Sequence, residues 1–224
     1  MRTPRDEARQ ARTDVYRQHV LQAAEQVFAE RGFESAKLQD ISALAGLSMG
    51  TIYAVFPSKA DLHSALLDDR GRELADLVRE VVGRNLAPRA ALHALIECYV
   101  GWFVAHPDFL RMHLRSGASW VLSPAGEDAR VRHWTDIHAL QAELFRRGVE
   151  LGDFVAEDPE YLSKVFSALD QVLLNDWVAS GMSSSREGLV RRLTVTVERA
   201  LCRPLGAPPR RRRTSRRSRP TADA

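Results

Sequence analysis

The chain has 224 residues, of which 45% are hydrophobic and 27% are charged, a composition typical of a globular protein large enough to bury a sizeable core. It has no run of 18 apolar residues and begins with a charged segment, so we expect no transmembrane helix, no secretory signal peptide and a cytoplasmic location. The net charge of +3 is uneven: residues 206–224 hold seven Arg and one Asp, which leaves the rest of the chain at −3.

Hydrophobic residues repeat at helical spacing along most of the chain, whereas strand and hairpin signals are nearly absent. We therefore predict an all-α protein of about nine helices. The first helix is expected to begin near Thr13 or Asp14 and to end at Gly32. Two short helices should follow, over residues 38–45 and from Ser48 to just before Pro57, with Ile41, Leu44 and Ala45 buried by the first of them.

The second half of the chain shows equally clear breaks. Residues 58–61 resemble a capping box that opens a long fourth helix, and Pro88 suits the first turn of a fifth. Further helices are predicted over residues 108–115, 127–151 and 158–181, and from a capping box at 184–187 to about Cys202. From Gly206 onward no apolar face is present, so this Arg-rich tail is predicted to be disordered.

The two short helices joined at Gly46 have the arrangement of a helix-turn-helix, in which the second helix can enter the major groove of DNA. Ile41, Leu47, Ile52 and Phe56 are expected to hold the unit together from inside. An outward surface would then present Tyr and Lys beside small residues: Ser48, Met49, Gly50, Thr51, Tyr53, Ala54 and Lys59. Two short helices of a helical protein without DNA-binding activity would show the same spacing.

Residues 17–62 resemble the N-terminal domain of TetR-type transcriptional regulators. The matching features are Ala23-Ala24, Phe28, Gly32-Phe33, Asp40-Ile41, Ala45-Gly46-Leu47-Ser48, Gly50-Thr51-Ile52-Tyr53, Phe56 and Ser58-Lys59-Ala60-Asp61-Leu62. The resemblance implies a homodimeric DNA-binding repressor that recognises an inverted-repeat operator, with a C-terminal domain that binds a small-molecule effector. It also implies four parts: a flexible arm (1–14), a helix-turn-helix domain (15–60), a ligand-binding and dimerisation domain (61–204) and the disordered tail (205–224).

The same resemblance assigns roles within the helix-turn-helix. Thr51, Tyr53 and Lys59 match positions that contact phosphates, while Gln39, Met49, Gly50 and Ala54 match positions that approach bases. Lys37 stands where the family usually has Thr; it has no acceptor for an N-cap and is expected to reach a phosphate instead. The base-reading set is poor in hydrogen-bonding groups, so DNA shape should carry part of the specificity.

The helices after residue 88 carry many aromatic residues with polar groups among them, which is typical of a ligand pocket, although the same rings could simply form the core. The candidate ligand-binding residues are Trp102, Phe103, His106, Phe109, His113, Trp134, His138, Gln141, Phe166 and Asp170. We expect a mainly apolar effector.

Two heptad-like seams near the C-terminus fit a four-helix bundle across a twofold axis, or alternatively the chain's own core. The resemblance favours the dimer, with an interface at Leu162, Phe166, Leu169, Leu173, Leu189, Leu193, Thr196 and Ala200.

Other functional classes find little support in the sequence. His133 and His138 are five residues apart and would point about 140° from each other on a helix, so we expect no metal site. Two cysteines are too few for a disulfide scaffold, and the common catalytic and cofactor motifs are absent, so we expect neither enzyme activity nor a cofactor. A helical enzyme or lipid carrier is the alternative. The Arg-rich tail either adds phosphate attraction or is a solvated end.

Overall fold

The computed structural model describes residues 3–117, 119–121 and 129–204. Within these ranges the chain forms nine helices and no strand, as the hydrophobic pattern predicts. The Arg-rich tail lies outside the described residues. The helices are α1 (Pro4–Ser35), α2 (Leu38–Ala45), α3 (Met49–Val55), α4 (Lys59–Gly83), α5 (Pro88–Ala105), α6 (Pro107–Arg115), α7 (Ala129–Leu151), α8 (Pro159–Ala179) and α9 (Arg186–Leu201).

The first helix is longer than predicted. It begins at Pro4 rather than near Thr13, because Thr3 and Asp6 form a capping box and Pro4 occupies the first turn. Residues 4–14, predicted as a flexible arm, are therefore an exposed helical extension. Gly32 interrupts the helix with φ 75° and ψ 163°, so regular helical geometry ends where the sequence predicts it to end.

The remaining helix boundaries follow local capping chemistry. Ser48, Ser58 and Asp158 accept hydrogen bonds from backbone amides at the starts of α3, α4 and α8. The cap of α9 is Ser185 rather than Ser184, one residue later than predicted. Gly46 is left-handed, with φ 66° and ψ 28°, and closes α2.

Helix α4 connects the N-terminal helices to the rest of the protein. It packs against α1, α5 and α7. Arg70 of α4 forms a partly buried ion pair with Glu25 of α1, at 2.7 Å. On its other side, Asp68 is 2.8 Å from the His133 ring of α7. A movement of α4 would therefore change its contacts with both α1 and α7.

The seams of α8 and α9 correct the predicted dimer interface. Leu162, Phe166, Leu173, Leu189 and Leu193 are all buried within this chain's own core, so their assignment to an interface is wrong. Helical periodicity identifies the apolar face but not which surface covers it. Leu169 is half-buried, while Thr196 and Ala200 are exposed. Within the described ranges, no helix combines the length and apolar character needed to cross a bilayer.

Candidate DNA-binding surface and interior ligand site

A tight turn sets the angle between α2 and α3. The Leu47 amide donates to the Ser42 carbonyl at 3.1 Å, and the Ser42 hydroxyl donates to the Leu47 carbonyl at 2.6 Å. Beneath the turn, Ile41, Ile52 and Phe56 are buried as predicted. Leu44, predicted to be buried, is instead 49% exposed. The two helices thus have the compact geometry of a helix-turn-helix.

The outward surface of this unit carries most of the predicted DNA contacts. Tyr53 is the large side chain that protrudes from α3, with 52% of its surface exposed. Gly50 and Ala54 are exposed beside it, and Met49 and Thr51 are half-buried. The hydroxyls of Ser48 and Thr51 lie 2.9 Å apart, which orients both at the start of α3. Lys37 and Gln39 are exposed at the start of α2, and Lys37 forms no side-chain cap there, as predicted.

Lys59 has a different environment from the one that phosphate contact requires. Its ammonium donates to the backbone carbonyls of Phe33, Glu34 and Ala36 at 2.7, 3.1 and 3.1 Å, and it lies 4.6 Å from the Phe33 ring centroid. All three of its donors are therefore used within the protein. This geometry gives Lys59 a structural role at the end of α1, and its phosphate contact stays a prediction.

Two further contacts that the sequence motif does not reveal hold this domain in place. Arg31 pairs with Asp40, which ties the end of α1 to α2. The guanidinium of Arg17 lies 4.8 Å from the Phe56 ring centroid. Neither pair lies within a single helix, so helical spacing carries no signal for them.

In the C-terminal part, five of the ten predicted ligand-binding residues meet in one aromatic cluster. Trp120 is its centre: its ring lies 5.2 Å from Phe103, 4.8 Å from His113 and 5.6 Å from Trp134, measured between centroids. Trp102 and Phe109 continue the cluster at 5.3 Å from each other. Trp120 itself was missing from the predicted set because it lies outside the helices, where periodicity gives no information. We call these six residues the aromatic cluster.

A buried polar network lies beside the aromatic cluster. Gln141 donates to the Tyr99 hydroxyl at 2.7 Å and accepts from the Ser163 hydroxyl at 2.7 Å. The Ser167 hydroxyl is 3.2 Å from His138 Nε2, and the Trp120 indole donates to the Ser167 carbonyl at 3.3 Å. The predicted residues His138 and Gln141 are thus satisfied core residues of α7 that face α8.

Three buried polar atoms in this region have no hydrogen-bond partner among the described residues: Trp102 Nε1, His113 Nε2 and Asp170 Oδ1. Burial raises the pKa of Asp170 to about 8 and lowers the pKa of His113 to about 4. Asp170 also contributes, after burial itself, to the raised pKa of Tyr99, so these two side chains are neighbours. Unsatisfied buried groups are rare in folded proteins and mark this region as a candidate binding site.

Two more of the predicted ligand residues lie outside the aromatic cluster. Phe166 is fully buried and packs against Tyr99 and Phe145, at centroid distances of 5.7 and 6.2 Å. His106 ends α5, where its ring lies 4.6 Å from Trp102 and 3.5 Å from Glu73 of α4. Phe166 is therefore a core residue, and His106 lies between the aromatic cluster and α4.

The fold and the α2–α3 surface together define an all-helical protein of the helix-turn-helix class. The sequence profile described as "Bacterial regulatory proteins, tetR family" matches residues 20–66. Among curated relatives, the HTH-type transcriptional activator FasR of Mycolicibacterium smegmatis is 32% identical over 105 residues, 47% of this chain and 44% of that protein. The repressor AcnR of Corynebacterium diphtheriae is 34% identical over 139 residues, 61% of this chain and 66% of that protein.

A solved structure has the same fold. A transcriptional regulator from Saccharomonospora viridis in complex with choline has a TM-score of 0.69 at 24% identity, covering 84% of this chain and 98% of that one. The chain belongs to the TetR family of bacterial regulatory proteins. These relatives are regulators and not enzymes. The matches span less than half the length of the first curated relatives, at 44, 34 and 39%.

Proposed function

We propose that this chain is a ligand-responsive transcriptional repressor that binds an inverted-repeat DNA operator as a homodimer. The observation that carries this proposal is the α2–α3 unit, whose turn is fixed by Ser42, Gly46 and Leu47 and whose outer surface presents Tyr53 next to Gly50 and Ala54. Residues 15–60 would form the DNA-binding domain and residues 61–204 the ligand-binding and dimerisation domain. Such a role on chromosomal DNA would be exercised in the cytoplasm.

The exposed residues fall into two groups, one that would contact bases and one that would contact phosphates. The small residues Gly50 and Ala54 would allow α3 to approach the major groove closely, and Met49 or Ala54 would contact a thymine methyl. Gln39 would read an adenine edge. Tyr53, Thr51 and Lys37 would bind phosphates and set the register, while DNA shape supplies further specificity.

We propose a corrected dimer interface on the exposed side of α8 and α9. The outward face of α8 carries an apolar stripe in which Tyr161 and Val172 are exposed, Val172 at 68%, and Val165, Ala168 and Leu169 are half-buried. On α9, Val195 and Thr196 are exposed. Two such faces related by a twofold axis would pack as a four-helix bundle, and this symmetry would require a palindromic operator.

The interior of the C-terminal part would hold the effector. The aromatic cluster and the unsatisfied Asp170, His113 and Trp102 combine apolar walls with a few polar groups, as small-molecule sites do. The complex of the S. viridis protein with choline is a precedent for a small molecule bound to a protein of this fold. Because α4 contacts both α1 and α7, it would transmit a shift in the interior to the recognition helices.

The proposal is tested by selecting binding sites from sheared genomic DNA with the full chain at physiological salt. A short enriched inverted repeat is expected, and retention of DNA without a motif would contradict sequence-specific binding. Tyr53→Phe should weaken binding to all retained sequences about equally, because a phosphate contact carries no sequence information. Tyr161→Phe is the matched control, since it removes a tyrosine hydroxyl from α8, outside the proposed DNA-binding domain, and keeps the apolar ring in the proposed dimer interface. Turnover or lipid binding without DNA retention would instead favour an enzyme or carrier.

A further inference from the structure

The carboxyl of Asp170 is buried in the core without a charged partner. It is 2% exposed, its Oδ1 accepts no hydrogen bond within the described part of the chain, and none of the ion pairs found there involves it. The polar network next to it consists of Gln141, Ser163, Ser167 and His138, and burial, followed by the charge of Lys164, lowers the pKa of His138. Within the described part of the chain, no cationic side chain is therefore paired with the carboxylate form.

Tyr99 borders this carboxyl, and the aromatic cluster is reached within about one helical turn of it. Asp170 follows Ser167 by one helical turn on the buried face of α8, and the Trp120 indole donates to the Ser167 carbonyl. Phe103 and Trp134 each stack on Trp120, with an angle of 22° between the ring planes in each pair. The charge of Asp170 contributes, after burial, to the raised pKa of Tyr99, so these two side chains are neighbours. Ring faces attract cations, and this attraction strengthens when water is excluded.

A groove between α4 and α5 borders the aromatic cluster at Trp102. It has a volume of about 440 Å³ and is lined by Trp102, whose buried indole nitrogen has no hydrogen-bond partner among the described residues. Its charged lining residues are Glu73, Glu80, Glu97, Arg84 and Arg186. Trp102 is thus shared between this groove and the aromatic cluster. Glu73 pairs with Arg70 and Glu80 pairs with Arg84, so the selection of a cation depends on Asp170 and the aromatic rings rather than on this groove.

We propose that the effector of this regulator is an apolar molecule bearing a protonated amine, whose N–H donates to Asp170 Oδ1 while its carbon skeleton packs against the aromatic cluster. This inference rests on the effector site of the proposed function and adds the chemical class of its ligand. On binding, the Asp170 carboxyl releases its proton to solvent and the ammonium takes its place as the partner of the oxygen. A neutral ligand would leave the carboxyl uncharged, and an anion would oppose it.

The test uses three probes with one carbon skeleton: 4-phenylbutylamine, 4-phenylbutan-1-ol and 4-phenylbutyrate. Binding to the full-length native chain is measured by calorimetry and by quenching of tryptophan fluorescence, since three tryptophans lie in the aromatic cluster. The amine is expected to bind at least tenfold more tightly than the alcohol, and the carboxylate more weakly still. Equal binding of the three probes, a preference for the carboxylate, or no binding by any probe would overturn the inference.

Variants locate the effect at the proposed residue. Asp170→Asn should bring the affinities for amine and alcohol within threefold of each other, whereas Asp176→Asn should keep the native preference, because Asp176 is exposed on the same helix and pairs with Arg192. Asp170→Leu provides a second variant if the asparagine side chain disturbs folding, and thermal melting checks both. A retained amine preference in the folded Asp170 variants would overturn the inference.

DNA retention by the native chain, measured in parallel, separates this inference from the proposed function. If the chain binds its operator but shows no preference for the amine probe, the ligand class is contradicted and the proposed function is unaffected. A clear amine preference in a chain that retains no DNA would support the proposed ligand class and contradict the proposed repressor function.

Discussion

Arg115, at the end of α6, donates a hydrogen bond of 2.9 Å to the backbone carbonyl of Glu30 in α1. The carbonyls at the end of a helix have no partner within it, and the break at Gly32 makes Glu30 one of these. Arg115 is two residues from His113, whose Nε2 is buried without a partner in the aromatic cluster. A ligand that shifts α6 would therefore act on the end of α1 directly as well as through α4.

Replacing Arg115 with Met should loosen the end of α1. The side-chain stem is kept, but the Glu30 carbonyl loses its donor, so we expect a loss of about 1 kcal/mol in unfolding free energy. Amide hydrogen exchange at residues 32–36 should become faster than in the native chain. Arg111→Met is the matched control, because Arg111 pairs only with Asp108 within α6 at 2.8 Å. Equal effects of the two substitutions would contradict a specific link between α6 and α1.

Substitution of Lys59 should lower stability, whereas substitution of Lys37 should change DNA binding. Lys59→Met leaves three carbonyls at the end of α1 without donors and should lower the unfolding free energy by about 1–3 kcal/mol, measured by urea denaturation. Lys37→Met removes an exposed charge, so stability should change by no more than about 0.5 kcal/mol. It should instead reduce the salt dependence of DNA binding by about one ion. If the Lys59→Met variant is as stable as the native chain, the structural role assigned to Lys59 is wrong.

Gly50→Ala should separate folding from DNA binding. A Cβ at Gly50 would meet only the Ser48 hydroxyl oxygen, at 3.8 Å, and alanine favours helix by up to about 1 kcal/mol. The melting temperature should therefore stay the same or rise. Operator affinity should fall, because the added methyl group occupies the space through which α3 approaches DNA. Gly83→Ala, with nothing within 4 Å of the added carbon and far from α3, is the control. Unchanged affinity in Gly50→Ala would remove Gly50 from the DNA contact surface.

These positions also show which features of the structure could be predicted from the sequence. The predicted range of α2, about 38–45, matches the helix, and its end follows from the local chemistry of Gly46 alone. The extension of α1 was missed although Thr3, Pro4 and Asp6 are a readable start signal, since no apolar face accompanies it. Lys59 was assigned to phosphate by its family position, and its three carbonyl partners could not be found without tertiary structure. The seams of α8 and α9 were recognised as apolar, but their covering partner depends on the packing of the whole chain.

The proposed dimer interface predicts a specific sensitivity on α8. Val172→Asp places a charge on the most exposed apolar residue of the stripe and should shift the chain to monomers in analytical ultracentrifugation, with a loss of cooperative operator binding. Its unfolding should remain cooperative, since the side chain makes little contact with the core of its own chain. Leu151→Asp serves as the control, because Leu151 is 70% exposed at the end of α7. A dimer that survives Val172→Asp would place the interface elsewhere.

The two shifted groups of the interior predict how stability depends on pH. Asp170 has a folded pKa of about 8 and an ordinary value of 3.8, so between these values the unfolded chain binds fewer protons and stability falls as pH rises. His113 has a folded pKa of about 4 and an ordinary value of 6.5, so its contribution rises with pH over that range. The two slopes oppose each other between pH 4 and 6.5, and only the loss due to Asp170 continues from there to pH 8.

We therefore expect the unfolding free energy of the native chain to fall between pH 6.5 and 8 by up to about 1.4 kcal/mol per pH unit from Asp170. Asp170→Asn should remove this fall, and Asp176→Asn should retain it. Below pH 6.5 the Asp170→Asn variant should lose stability as pH decreases, because His113 then acts unopposed. Denaturant titrations at half-unit pH steps measure all three chains. Parallel pH profiles for the native chain and Asp170→Asn would show that Asp170 is not held protonated in the folded protein.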